Sequence, residues 1–324
     1  MSAAKRVFLA LLLAACYAVT AGCSAKSDDK KNEAITIQVI VKKTDADFWK
    51  VVRMGTQAAS QEFNVTVNFT GPTDEQDIEG QIGMVNDAVA ARADAIVLAA
   101  CDYNRLVDAV NRAVEAGIPV IVIDSDVNTN RTNGFVGTDN VDAGRRLGDT
   151  LVEKVGRQCK VAVMGFVRGA ATCDQREQGL LEVLGTYPGI QVLDTVYCGS
   201  DSAYAKILTQ QIIEENPDID AIVCLNAYGT EGVAQGIDES KAGKAIRVIG
   251  FDSTPTEIRY LEKDVVQALV IQNPYKMGYL GVKYALDTIR GKKMPQNVNT
   301  GLTIIDKGNM YLPENQKLLF PFTS

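Results

Sequence analysis

Charged, amide and aromatic side chains follow short apolar runs along the chain, at the point where each run ends. Asp124 follows VIVI, Asn226 follows AIVCL, and Asp252 follows VIGF. Carboxylates accept hydrogen bonds, an arginine donates them in a planar fork, and amides do both. Such a set suits a neutral ligand with many hydroxyl groups. The candidate ligand-binding residues collected in this way are Lys42, Asp45, Phe48, Trp49, Asp124, Ser125, Arg176, Asn226, Phe251, Asp252 and Gln272.

The only tryptophan of the chain, Trp49, lies next to Phe48 in the charged stretch KKTDADFWK. Aromatic faces cover the apolar C–H faces of a sugar ring, so the pair is suited to stacking on a ligand. Alternatively, both rings belong to the core side of an amphipathic helix, together with Val52 and Ala59. We expect one ring to serve the core and one the ligand.

The composition argues against several kinds of catalysis. The chain contains no histidine, which removes Ser-His-Asp and Cys-His arrangements and the commonest zinc ligand. No nucleophile is paired with a base at the strand ends, so we expect a protein that is not an enzyme and that holds no metal or cofactor. A hydrolase that uses the Asp124 and Asp252 carboxylates is the remaining enzymatic alternative.

Charge and length limit the class of protein further. With 324 residues, 46% of them hydrophobic, the chain can bury a large core, and its length suggests two domains. The formal net charge of -7 argues against nucleic acid and anionic membranes as partners, because both reward basic patches.

The N-terminus has the pattern of a bacterial lipoprotein leader. Two basic residues precede an apolar run that is too short to span a membrane, and Thr20-Ala21-Gly22-Cys23 follows as a lipobox. On this interpretation, residues 1–23 contain the signal peptide and lipobox, Cys23 becomes lipidated, and residues 24–34 form a tether. The folded part then lies outside the cytoplasmic membrane. A signal peptide with an unrelated cysteine is the alternative.

From residue 35 onward, β-branched runs alternate with helical patterns of 12 to 17 residues, which is typical of parallel βαβ units. The stretches RADAIVLAACD (92–102) and DIDAIVCLNAY (218–228) repeat one another and indicate two α/β halves. Ligands of open parallel sheets bind at the carboxyl ends of the strands. Strands are predicted over residues 35–41, 65–69, 95–99, 120–124, 160–165, 190–197, 221–225, 248–250 and 266–271.

Nearly the whole chain after the leader resembles the periplasmic-binding-protein type I sugar receptors, the ribose-binding-protein-like group that delivers monosaccharides to ABC transporters. The stretches that carry this resemblance are DFWKVVRMG (47–55), AGIPVIVIDSD (116–126), GTDNVDAG (137–144), QREQG (175–179), VIGFDSTP (248–255) and VIQNPYKMGY (270–279).

The resemblance implies an α/β fold of two Rossmann-like lobes, each a parallel sheet flanked by helices, joined by a three-crossover hinge. The crossovers would be GTDN, QNP and the chain after about Gly301. The first lobe would then comprise residues 35–138 plus 273–301, and the second lobe residues 139–272 plus 302–324.

The resemblance also implies roles for the candidate residues. Phe48 and Trp49 match aromatics near a pyranose, and Asp124 and Arg176 match sugar-binding groups from the two lobes. The remaining positions that match are Asn226, Asp252 and Gln272.

Each of these roles has a structural alternative. Asp124 or Asp252 could cap a helix, Arg176 could pair with Glu177 or Asp174 on a solvated face, and Gln272 could be a plain hinge residue.

This chain departs from the group at Ser125, where the ribose receptor has an arginine, and at the charged loop with Lys42 and Asp45. A hexose, an inositol or an amino sugar therefore stays open as the ligand. We expect a monomer that binds a monosaccharide and passes it to an ABC transporter permease. A receptor for a membrane sensor kinase or a chemoreceptor is the alternative.

Five cysteines follow the leader, and their spacing matches no metal motif. Cys159 and Cys224 lie in apolar runs and are expected to be buried. Cys173 and Cys198 come just after neighbouring predicted strands, which suggests a disulfide between them.

Overall fold

The computed structural model describes residues 35–240 and 245–321, in which strands and helices alternate. The strands are β1 (Thr36–Ile40), β2 (Thr66–Thr70), β3 (Ala95–Leu98), β4 (Val120–Ile123), β5 (Phe135–Gly137), β6 (Cys159–Gly165), β7 (Ile190–Val192), β8 (Val196–Tyr197), β9 (Ala221–Cys224), β10 (Arg247–Phe251), β11 (Val266–Ile271), β12 (Asn297–Asn299) and β13 (Thr303–Asp306). The helices are α1 (Asp47–Phe63), α2 (Ile78–Ala90), α3 (Val107–Glu115), α4 (Asn140–Lys154), α5 (Ala171–Leu184), α6 (Ser202–Glu215), α7 (Ala227–Glu239), α8 (Pro255–Glu262), α9 (Pro274–Ile289) and α10 (Pro313–Leu319). Among these described residues, no helix has the length and apolar character needed to cross a membrane.

The strands form two sheets with the same order. The first sheet runs β12-β5-β4-β3-β1-β2, and the second runs β13-β11-β10-β9-β6-β7, with β8 paired to β6. Five strands of each sheet therefore follow the doubly wound order 2-1-3-4-5. The expected α/β fold with two sheets is confirmed, except that β13 pairs antiparallel with β11 and was not predicted.

The repeated stretches seen in the sequence occupy equivalent places in the two sheets. β3 lies beside β1 with Ile37 opposite Ala95, and β9 lies beside β6 with Val161 opposite Ala221. Both strands are buried at every residue. Helices cover both faces of a parallel sheet, so its central strands read as continuous apolar runs rather than as alternating patterns.

Most predicted strands end within one or two residues of the observed limits, but the run at 190–197 is two strands. β7 pairs Ile190 with Cys159, and β8 pairs Val196 with Met164. The three residues between β7 and β8 thus lie opposite only two residues of β6. This bulge divides the predicted strand into two. The short strands β5, β12 and β13 were missed, and α3 and α8, with 9 and 8 residues, are shorter than expected.

The chain passes between the sheets after β5, after β11 and between β12 and β13. These passages lie at residues 137–140, 271–274 and 299–303, near the segments expected to form crossovers. The lobe limits given above stay a prediction. The leader, Cys23 and the tether lie outside the described residues.

All five cysteines of the described chain are free and buried, so the Cys173–Cys198 disulfide is wrong. The Cys173 thiol instead accepts the Phe166 N–H at 3.4 Å. Burial raises the pKa of Cys173 to about 12 and that of Cys198 to about 11. Both thiols therefore stay protonated at neutral pH, and a protonated thiol is a poor nucleophile for disulfide formation.

Glycines allow two helix pairs to pack closely beside the passages between the sheets. A Cβ on Gly144 of α4 would lie 2.1 Å from the Arg176 carbonyl oxygen on α5. A Cβ on Gly55 of α1 would lie 2.0 Å from the Tyr275 carbonyl oxygen on α9. Because α4 and α9 each follow a passage, these contacts connect the passages to the helices that carry Arg176 and Trp49.

We expect Gly144→Ala to lower the free energy of unfolding by about 1–3 kcal/mol, because the added methyl group must push α4 and α5 apart. Gly83→Ala on α2 is the matched control, since nothing lies within 4 Å of the added Cβ. That variant should be neutral or slightly stabilising. Urea unfolding, monitored by circular dichroism, measures the free energy of unfolding of both variants. Equal stability of the two variants would contradict the close packing.

Candidate functional site

A cavity of about 330 Å³ lies between the carboxyl ends of the two sheets. Six carboxylates and three basic groups line it, together with aromatic and amide side chains. Its lining residues are Lys42, Lys43, Asp45, Ala46, Asp47, Phe48, Trp49, Glu75, Asp124, Phe166, Thr172, Arg176, Asn226, Ala227, Tyr228, Glu231, Asp252, Thr254 and Gln272.

The structure brings nine of the eleven candidate residues onto this cavity. They are Lys42, Asp45, Phe48, Trp49, Asp124, Arg176, Asn226, Asp252 and Gln272. The other two, Ser125 and Phe251, are fully buried behind the wall. Phe251 supports the wall, because its ring centroid lies 3.7 Å from the guanidinium carbon of Arg176.

Asp124 and Asp252 occupy equivalent positions, directly after β4 and β10. Both have a left-handed backbone, with φ of 58° and 75°. This conformation is uncommon for residues other than glycine, and such residues cluster at functional sites. Neither aspartate caps the next helix, because β5 follows Asp124 without a helix between them and Thr254 caps α8. Both carboxylates instead line the cavity.

Arg176 is held in a fixed orientation inside the protein. Arg176 lies on α5 and is only 2% exposed. Its Nε donates to Asn140 Oδ1 at 2.9 Å. One terminal nitrogen donates to the Leu225 carbonyl at 2.8 Å. The guanidinium is therefore a buried group of the cavity wall. The alternative of a pair with Glu177 or Asp174 on a solvated face is wrong.

Lys42, two residues beyond the end of β1, places a buried ammonium between two carboxylates. Its Nζ lies 3.7 Å from Asp124 Oδ2, 4.0 Å from Glu75 Oε2 and 3.4 Å from Thr172 Oγ1. Burial alone would lower the pKa of Lys42, but Glu75 and Asp124 together raise it above its ordinary value. Lys42 therefore stays charged inside the cavity. Burial raises the pKa of Asp124, and Lys42 opposes that shift.

A chain of hydrogen bonds connects Asp252 to two of the passages between the sheets. Gln272, after β11, donates from Nε2 to Asp252 Oδ1 at 2.7 Å. Thr138, after β5, donates from Oγ1 to Gln272 Oε1 at 2.8 Å. Burial raises the pKa of Asp252 to about 6, although Arg176 and Gln272 both favour the ionised form. Gln272 is thus both a passage residue and a cavity residue.

The two aromatic residues of the charged stretch KKTDADFWK, Phe48 and Trp49, differ in burial. Trp49 is 2% exposed and packs in the apolar cluster that contains Ile37, Val52 and Ala59. Phe48 is half-buried and meets Trp49 edge to face at 4.9 Å. Trp49 therefore contributes to the core and to the cavity wall at once, whereas Phe48 lies nearer the mouth.

Several wall residues were not predicted. Glu75 lies in the loop after β2, and Phe166 comes directly after β6, so the strand-end rule would have found both. Tyr228 lies two residues beyond Asn226. Thr172 and Glu231 lie on α5 and α7, where no strand-end signal exists. Across residues 35–240 and 245–321, no group of histidine, cysteine or carboxylate side chains could hold a metal ion.

Comparison with known proteins gives consistent matches over most of the chain. Residues 37–293 match the periplasmic binding protein domain family. The ribose import binding protein of Bacillus subtilis is 25% identical over 307 residues, which cover 94% of this chain and 99% of that protein.

Solved structures match equally well. A carbohydrate transporter solute binding protein from Agrobacterium radiobacter, in complex with D-arabinose, has a TM-score of 0.86 and 32% identity, covering 89% of this chain and 99% of that one. An ABC transporter solute binding protein from Agrobacterium vitis with bound D-fucose has a TM-score of 0.85 and 32% identity, covering 88% of this chain and 99% of that one.

We expect Asp252→Asn to raise the melting temperature at pH 7.5 by about 2–4 °C, because it removes an ionised carboxylate that burial disfavours. The pKa of Asp252 is about 6 in the fold against an ordinary 3.8. As pH falls from about 6 to about 4, the folded wild type gains a proton that the unfolded chain lacks, so wild type gains relative stability. The difference should therefore shrink at pH 4.5.

Thermal unfolding at both pH values measures this effect. Glu79→Gln, which changes a carboxylate whose side chain is 73% exposed, is the matched control for the substitution itself. An Asp252→Asn difference that is independent of pH would contradict the raised pKa.

Proposed function

The chain belongs to the periplasmic binding protein family, and we propose that it binds one monosaccharide in the cavity and delivers it to an ABC importer. The family consists of binding proteins, and the matched relatives are transport proteins rather than enzymes. The hydrolase alternative therefore has no support. The names of the relatives favour import over a sensor kinase or chemoreceptor as the destination of the ligand.

One observation carries the proposal: hydrogen-bonding groups from both sheets converge on a single aromatic-walled cavity. Asp124 comes from the first sheet, Arg176 and Asp252 come from the second, and Gln272 lies at a passage between them. A ligand with hydroxyl groups on several carbons satisfies such groups at once. A ligand without them would leave buried polar groups unpaired, which costs binding free energy.

The size and walls of the cavity support a single sugar ring. Ligand cavities range over about 300–1,000 Å³, and this cavity lies at the lower end of that range. Trp49 and Phe166 supply aromatic surface beside the polar groups, which suits the two kinds of surface on a pyranose. The solved relatives were crystallised with D-arabinose and D-fucose, and a curated relative imports ribose.

The two sheets are proposed to act as two lobes, 35–138 plus 273–301 and 139–272 plus 302–324, that close on the ligand. Several hydrogen bonds join residues of the two proposed lobes. Tyr103, after β3, donates its N–H to the Gly169 carbonyl after β6 at 2.8 Å. Gln76 Nε2 donates to the Gly199 carbonyl at 3.3 Å. Opening of the lobes would break these bonds and expose the cavity to solvent.

We expect one or more of D-ribose, D-allose, D-arabinose, D-fucose and D-galactose to produce a saturable change in Trp49 fluorescence. Because Trp49 is the only tryptophan and lines the cavity, the signal reports on the site itself. Arg176→Ala should weaken binding by about ten-fold or more, the loss expected for a charged hydrogen bond.

Arg146→Ala is the matched control for this titration, because Arg146 is an exposed arginine paired with Asp142 on α4. It should bind the same sugar as wild type does. Calorimetry with wild type that detects no binding of any of these sugars would contradict the proposed ligand class.

The proposal includes a lipid anchor at Cys23 and function as a monomer on the outer side of the cytoplasmic membrane. In the native host, Cys23→Ser should abolish the incorporation of labelled fatty acid into the protein, because the Cys23 thiol is the proposed site of acylation. Cys16→Ser, which changes the other leader cysteine, should leave the protein labelled. Labelling of the Cys23→Ser variant equal to wild type would contradict lipidation at this residue.

A further inference from the structure

Glu75 is a cavity residue whose carboxylate contacts both halves of the molecule. It lies in the loop after β2 and is 6% exposed. Its Oε1 accepts the Trp49 indole N–H at 3.2 Å, and its Oε2 accepts the Ser200 hydroxyl at 2.7 Å. Trp49 belongs to α1 beside the first sheet, whereas Ser200 follows β8 of the second sheet. One carboxylate therefore connects an aromatic wall residue to the opposite side of the cavity.

Ser200 is itself fixed in place on its own side. Its backbone is left-handed, with φ of 57°, directly after Gly199 at φ of 64°. Its hydroxyl accepts from Asn226 Nδ2 at 3.2 Å, and Asn226 Oδ1 caps α7 through the Gly229 N–H at 2.9 Å. The hydroxyl that faces Glu75 is thus held by a hydrogen bond from a residue at the beginning of a helix.

The two hydrogen bonds of Glu75 respond differently to a separation of the sheets. Glu75 and Trp49 both lie on the side of the first sheet, so their bond survives when the sheets move apart. Glu75 and Ser200 lie on opposite sides, so their bond forms only when the cavity is closed. We call this second bond the latch.

We propose that Glu75 is a positioning residue that fixes the orientation of the Trp49 ring and, through the latch to Ser200, holds the cavity closed. This inference rests on the proposed function in so far as closure retains a sugar. The two carboxylate oxygens have separate tasks, because Oε1 orients Trp49 and Oε2 binds Ser200. Charge strengthens both bonds, because a carboxylate is a better acceptor than a neutral oxygen.

Two variants separate the two tasks. Ser200→Ala removes the latch, together with the Asn226 bond to the same hydroxyl, and leaves the Trp49 bond. Sugar should then dissociate about ten-fold faster with an unchanged association rate. Glu75→Ala removes both bonds, so it should also shift the Trp49 emission maximum in the absence of sugar. Glu75→Gln retains an oxygen acceptor for the indole without the charge, so its emission maximum should lie closer to wild type than that of Glu75→Ala.

The experiment combines emission spectra, acrylamide quenching of Trp49 and stopped-flow dissociation of D-ribose, D-allose, D-arabinose, D-fucose and D-galactose. Ser200→Ala should be quenched more strongly than wild type, because its cavity opens more often. The control is Glu79→Ala, since Glu79 lies close in sequence and pairs with Arg105 on the surface. It should match wild type in every measurement.

The two proposed roles of Glu75 can fail separately. An unchanged emission maximum in Glu75→Ala overturns the positioning of Trp49. Quenching and dissociation equal to wild type in Ser200→Ala overturn the latch. If wild type binds none of the five sugars, the proposed ligand class fails, while the spectra and the quenching of the sugar-free protein still decide the role of Glu75.

Discussion

The burial of charge is the constraint on which the rest of the site depends. Lys42, Asp124 and Arg176 are buried at the cavity, and Asp252 is partly buried there. Each ionised group loses hydration there, a cost of several kcal/mol unless partners replace the water. Glu75 and Asp124 lie beside Lys42 in the first half, and Asn140 and the Leu225 carbonyl bind Arg176 in the second half. Thr172 adds a contact to Lys42 from the opposite side of the cavity.

The two halves are built alike, yet they treat their equivalent carboxylates differently. Asp124 and Asp252 share a strand position and a left-handed backbone. Asp124 lies beside the Lys42 ammonium, whereas Asp252 accepts a hydrogen bond from the neutral amide of Gln272. A repeated fold thus presents two carboxylates with different partners to one cavity.

The packing of helices connects this chemistry to the passages between the sheets. Arg176 lies on α5, which meets α4 at Gly144, and Trp49 lies on α1, which meets α9 at Gly55. In both pairs one helix carries a wall residue and the other begins where the chain changes sheets. Since such close contacts leave no room for rearrangement, a rotation at the passages carries the wall residues with it as rigid groups.

The sequence alone determined the α/β class, the repetition of two halves and most strands, because apolar runs such as VIVI and AIVC are buried on both faces of parallel sheets. It also placed Asp124, Arg176, Asn226, Asp252 and Gln272 near one another, since the carboxyl ends of parallel strands share an edge. Burial and bonding partners were decided only by the tertiary structure. Phe251 ends β10 and Ser125 follows Asp124, yet both side chains are fully buried behind the wall, which their positions in the sequence do not indicate.

Contacts between distant segments were equally hidden from the sequence. Nothing local in TDEQ indicates that Glu75 meets Ser200, 125 positions further along the chain. Likewise, the break in the 190–197 run follows from pairing with β6 rather than from its own residues. Local pattern specifies which elements form and which edge they share, whereas the partners of a buried charge depend on long-range packing that one segment cannot encode.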